Sequence, residues 1–103
     1  MTAIKGVLKE ELKNSLRIKN IYEREIAKLP KGSLVKSTRK GHQYYYLVLR
    51  EKGKVNLIYK GKLTDSEIKE YNKIKKLRSK YRHLLTDVKK QIKFLERSLK
   101  NER

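Results

Sequence analysis

The sequence predicts an α+β fold: a long N-terminal helix, a three-stranded antiparallel meander and a long C-terminal helix, with the two helices packing as an antiparallel pair. Three observations predict it. Apolar residues recur at three- and four-residue spacing over 3–29 and again over 65–100, which is the period of an amphipathic helix. Over 33–60, β-branched and aromatic residues cluster in short runs broken by Lys-Gly pairs, the pattern of strands joined by tight turns. Pro30 and the Thr64-Asp65-Ser66-Glu67 segment mark the two changes of period. At 103 residues the chain is expected to form one domain over 1–103.

The first helix rests on Ile4, Leu8, Leu12, Ile18, Tyr22, Ile26 and Leu29, which share one broad stripe, with Val7 at its edge. It is expected to span 3–29, about 39 Å at the helical rise, and to stop there because Pro30 disfavours helical geometry at the residue before it.

The meander is expected over 33–60. Lys40-Gly41 and Lys52-Gly53 are candidates for two-residue hairpin turns. With those turns, Val35, Tyr46 and Tyr59 stand in one row, and Tyr44, Val48, Val55 and Leu57 share their face. That face is expected to be core. Leu34, Tyr45, Leu47, Leu49 and Ile58 share the other, with Tyr45 between Lys36 and Lys60. Both faces are apolar, so helices are expected to cover one, and a partner protein or a second copy part of the other. Tyr45 and Leu49 are therefore expected on an outer face. There a tyrosine among lysines stacks on an unpaired base, an interaction worth about 1–3 kcal/mol, or meets a protein partner.

Thr64 and Glu67 have the spacing of a capping box, and Asp65, Glu67 and Glu70 suit the positive end of a helix. From Ile68 the stripe continues through Tyr71, Ile74, Leu77, Tyr81, Leu84, Leu85, Val88, Ile92, Leu95 and Leu99 without glycine or proline. One helix over 65–100, about 54 Å long, is expected.

Composition removes several classes of function. Without cysteine there is no disulfide, thiolate metal site or cysteine nucleophile. His42 and His83 lie in different elements and lack metal-ligand spacing, and the carboxylates read as helix-surface and capping groups. The Lys-Gly-Lys triplets at 52–54 and 60–62 lack the strand–loop–helix context of a phosphate-binding loop. The chain is expected to be no enzyme and to need no cofactor or metal. No apolar run approaches a membrane span, and the N-terminus lacks the apolar block of a signal peptide. A cytoplasmic protein without membrane contact is expected.

Charge is the strongest signal. Twenty-nine basic residues face eleven acidic ones, a net of +18. The segments 31–62 and 73–93 each carry nine basic residues and one acidic residue. Such blocks repel each other unless an anion binds, and nucleic acid, RNA or DNA, alone or within a ribonucleoprotein, is the expected partner. On the first helix Lys5, Lys9, Lys13 and Arg17, continued by Arg24 and Lys28, form a stripe away from the apolar centre. The meander adds Arg39, Lys40, Lys52, Lys54, Lys60 and Lys62. The second helix adds Lys73, Lys75, Lys76, Arg78, Lys80, Arg82, Lys89, Lys90 and Lys93. Cations placed along both helices and in the turns are expected to follow a phosphate backbone.

Four segments carry a resemblance: Leu29-Pro30-Lys31-Gly32-Ser33-Leu34, Lys40-Gly41-His42-Gln43-Tyr44-Tyr45-Tyr46-Leu47, Arg50-Glu51-Lys52-Gly53-Lys54-Val55 and Tyr59-Lys60-Gly61-Lys62-Leu63. Together they resemble a family of small basic prokaryotic and phage proteins with a β core between helices. They are also similar to the amino-terminal meander of some transposases. The resemblance spans about residues 29–70 and implies a phage or mobile-element protein with no catalytic residues. Small phage proteins also include inhibitors of RNA-guided nucleases. A basic chain of that kind is expected to capture guide RNA or to dock on the enzyme.

Overall fold

The computed structural model describes residues 2–101. Its elements are α1 (Thr2–Lys28), β1 (Ser33–Arg39), β2 (His42–Glu51), β3 (Lys54–Gly61) and α2 (Asp65–Asn101), with the strands in the order β1-β2-β3. The chain forms the helix, antiparallel meander and helix that the periodicity predicts. It falls into two compact units, one of residues 2–28 with 78–101 and one of residues 29–77, so that α2 contributes to both.

In the helical unit α1 packs antiparallel to the later turns of α2. The Tyr22 and Tyr81 rings lie 6.1 Å apart between centroids. Seven residues along each helix from that pair come Ser15 and Val88, and seven further come Leu8 and Leu95. Ser15, Val88, Ile92 and Leu95 are buried, while Leu8, Leu12, Tyr22, Ile26, Leu85 and Leu99 are half-buried. The covered positions 8, 12, 15, 22 and 26 on α1, and 81, 85, 88, 92, 95 and 99 on α2, fit alternating steps of four and three. That is the seam of a left-handed helix pair. Ser15, at 2% exposure, is the buried seam residue that hydrophobicity alone misses: a small side chain at a core position. Truncating Leu95 to alanine would remove about 2–5 kcal/mol of packing.

Helix α1 ends at Lys28, one residue short of Leu29, which directly precedes Pro30. Helix α2 begins with a complete capping box. The Glu67 amide donates to Thr64 Oγ1 at 3.2 Å, the Thr64 amide donates to Glu67 Oε1 at 3.2 Å, and the Ile68 amide donates to the Thr64 carbonyl at 3.0 Å. Replacing Thr64 by alanine would cost about 0.5–2 kcal/mol.

In the sheet unit the register follows from the two Lys-Gly turns. Arg39 pairs with His42 and Glu51 with Lys54, so each loop has two residues. Lys40 and Gly41 have φ of 50° and 80°, and Lys52 and Gly53 have φ of 50° and 76°. Positive φ at both central positions is the type I′ geometry, whose twist matches that of paired strands. Val35, Tyr46 and Tyr59 stand in one row as expected. A bulge then shifts the pairing so that Tyr45 lies opposite Gly61 rather than Lys60.

The assignment of the two sheet faces is a correction. Tyr45, expected on an outer face, is buried at 8% exposure, and Leu34, Leu47 and Leu49 on its side are half-buried. The face of Tyr44, Tyr46 and Tyr59, expected to be core, is the open one: Leu57 is 66% exposed and Tyr59 58%, and Val35 and Val55 are exposed too. The connection from α1 supplies part of the reason. Gly32, with φ of 109°, lies against Leu47 and Leu49 so closely that a Cβ there would come within 2.9 Å of the Leu47 side chain. The incoming chain thus lies over the Leu47 side of the sheet. In the same unit Ile68, Tyr71 and Ile74 of α2 are half-buried at helical spacing.

Candidate nucleic-acid interface

Strand alternation places Ser33, Val35, Ser37, Arg39, His42, Tyr44, Tyr46, Val48, Arg50, Val55, Leu57 and Tyr59 on the open face. Three tyrosines form its centre. The rings of Tyr46 and Tyr59 are 5.3 Å apart and tilted by 60°, and those of Tyr44 and Tyr59 are 6.5 Å apart and tilted by 33°. Such tilted pairs suit aromatic quadrupoles, and they do not stack the rings flat upon one another. Tyr59 is exposed, whereas Tyr44 and Tyr46 are half-buried.

Cations border these rings. The Lys62 ammonium lies 6.0 Å from the Tyr44 ring centroid, at the outer limit of a cation–π contact. Arg39, Lys40 and His42 join the three tyrosines around a shallow depression of about 550 Å³. Arg50 lies further along the same face. The single carboxylate of the meander, Glu51, alternates to the opposite side. This is an apolar aromatic surface within a basic border.

The other cations predicted from sequence are dispersed, and all but Lys5 and Arg78 are exposed. Lys52 lies in the β2–β3 turn and Lys54 follows it, at the end of the sheet away from Arg39, Lys40 and Lys62. Lys60 stands at the bulge in β3. On α1, Lys9, Lys13 and Arg17 are exposed one turn apart and Lys5 is half-buried; Arg17 donates to Asn14 Oδ1 at 2.7 Å. On α2, Lys73, Lys75, Lys76, Lys80, Arg82, Lys89, Lys90 and Lys93 are exposed and Arg78 is half-buried. The ion pairs Lys19–Glu23, Lys28–Glu25 and Lys73–Glu70 lie within single helices at 3.2–4.0 Å, where such contacts contribute little. The structure therefore gathers Arg39, Lys40 and Lys62 around the tyrosines and leaves the helical lysines as solvated stripes.

The sequence points to Tyr45 and Leu49, whereas the exposed aromatic surface is formed by Tyr44, Tyr46 and Tyr59. Charge along the strands separates the faces only weakly, with Arg39, His42 and Arg50 on the tyrosine side and Lys36, Glu51 and Lys54 on the other, so the sequence carries no clear signal for the tyrosine face. Among the described residues no three His, Cys, Asp or Glu side chains cluster to hold a metal ion. No helix among them is long and apolar enough to cross a membrane. Comparison with protein-family models, with curated proteins and with solved structures finds no match.

Proposed function

We propose that this chain is a small, non-enzymatic nucleic-acid-binding protein of a phage or mobile element. It grips the phosphate backbone with basic helix faces and hairpin turns, and acts in the cytoplasm. One observation carries the reading: the positive charge is uncompensated throughout. Pairing every carboxylate would still leave a net of +18. The excess divides evenly, since residues 29–77 hold thirteen basic and four acidic side chains, a net of +9, and the remainder holds the other +9. A lysine surface serving solubility alone comes with glutamate interspersed. Polyanion binding relieves self-repulsion in both units and releases condensed counterions.

The test is the salt dependence of affinity for a fluorescent 25-mer. With about five to eight phosphates neutralised, affinity should fall a hundredfold or more between 50 and 200 mM salt. Salt-independent binding, or none at low salt, would contradict the proposal. It would favour instead an inhibitor or accessory factor docking on a nucleic-acid-dependent enzyme.

A further inference from the structure

We infer that the open sheet face is a stacking platform for unpaired bases, which makes single-stranded nucleic acid the ligand. This rests on the nucleic-acid reading and names the site and strand state that the reading leaves open. The ligand must supply two things to match this surface. Flat, polarisable rings match the tyrosines Tyr44, Tyr46 and Tyr59, and closely spaced negative charge matches Arg39, Lys40 and Lys62 beside them. An unpaired nucleotide carries both within one residue, a base for the ring and a phosphate for the cation. A duplex presents phosphates and groove edges but keeps its base faces stacked inside, so it meets the cations and leaves the tyrosines without partners. Three rings within 6.5 Å of a neighbour correspond to two or three nucleotides, the number that aromatic residues on other sheet platforms accommodate.

Charge also argues against a second copy as the occupant. An isologous contact sets the same patch against itself. It would bring Arg39, Lys40, Arg50 and Lys62 of one molecule towards those of the other, on a face where strand register places no carboxylate.

The test titrates the full chain with a single-stranded thymidine 12-mer and with the same strand annealed to its complement. It reads anisotropy and tyrosine emission at several salt concentrations. The chain has seven tyrosines and no tryptophan, so quenching by stacked bases is seen directly. The parent should bind the single strand at least tenfold more tightly than the duplex, with quenching confined to the single strand. Changing Tyr46 and Tyr59 together to threonine should weaken single-strand binding about tenfold or more. Duplex affinity should be unchanged, and Tyr59→Phe should bind like the parent. Circular dichroism checks the fold of each variant, and the strand preference of the parent needs no variant at all. Equal, salt-dependent binding to both forms without quenching would overturn the platform and leave the nucleic-acid reading standing. Absence of binding to either form would overturn both. A parent that sediments as a dimer, with a monomeric threonine variant, would overturn the platform and assign the face to a second copy.

Discussion

The two faces of the meander come from alternate residues of the same strands, yet they are covered unequally. On one, Tyr45 is buried, Leu34, Leu47 and Leu49 are half-buried and Ile58 is exposed; on the other, Tyr44, Tyr46 and Val48 are half-buried and Val35, Val55, Leu57 and Tyr59 are exposed. Hydrophobicity does not separate them, because each face has aliphatic and aromatic residues at its centre. Part of the difference is the route of the chain on entering the sheet: the close approach at Gly32 lies against Leu47 and Leu49. The residues left open are ringed by cations. An apolar face that a fold leaves uncovered and borders with one sign of charge is better read as an interaction surface than as an incomplete core.

The largest expected effect sets one tyrosine against another. Tyr45→Ala removes a buried ring and should destabilise the protein by about 3–5 kcal/mol. Tyr59→Thr, at an exposed position with high strand propensity retained, should cost under about 1 kcal/mol. Urea melts of the two variants decide the matter, and equal losses would mean that both faces are covered. Next comes Gly32→Ala. A Cβ at 2.9 Å from Leu47, on a backbone at φ of 109°, combines overpacking with strain and should cost about 2–4 kcal/mol. A neutral result in the same melts would mean that the approach at Gly32 does not decide which face is closed.

The smallest effect concerns the border of the open face. Lys40 sits at the first central position of a type I′ turn with φ of 50°, a conformation that asparagine adopts more readily than lysine. Lys40→Asn should leave stability unchanged or raise it by about 0.5 kcal/mol. If Lys40 contacts phosphate, affinity should fall and the salt slope should shallow by about one unit. Stability and affinity moving together would argue that the lysine serves the turn alone.

Most of the fold was legible because its signals are local. The Lys-Gly turns set the strand register, Pro30 and the Thr64–Glu67 box set the helix ends, and periodicity located the helices. Two features escaped. Ser15 is polar by composition and core by geometry, since a tight seam accepts a small side chain that a hydrophobicity count passes over. The choice of sheet face escaped because alternation tells which residues lie together but not which side another segment will cover. That depends on tertiary approach, of which the contact at Gly32 is one part, and it moves the candidate site from Tyr45 and Leu49 to Tyr44, Tyr46 and Tyr59. The lysines were legible as a partner signal but not as a site, because charge acts over distances at which local placement matters little.

The most direct test of the central claim, that the open tyrosine face is where this protein meets its ligand, is a proton NMR titration of the assigned tyrosine rings with the single-stranded 12-mer. Large ring-current shifts are expected at Tyr44, Tyr46 and Tyr59, with Tyr45, Tyr22 and Tyr81 unmoved. Shifts confined to the helical lysines, with the rings of Tyr44, Tyr46 and Tyr59 unmoved at saturation, would contradict the claim.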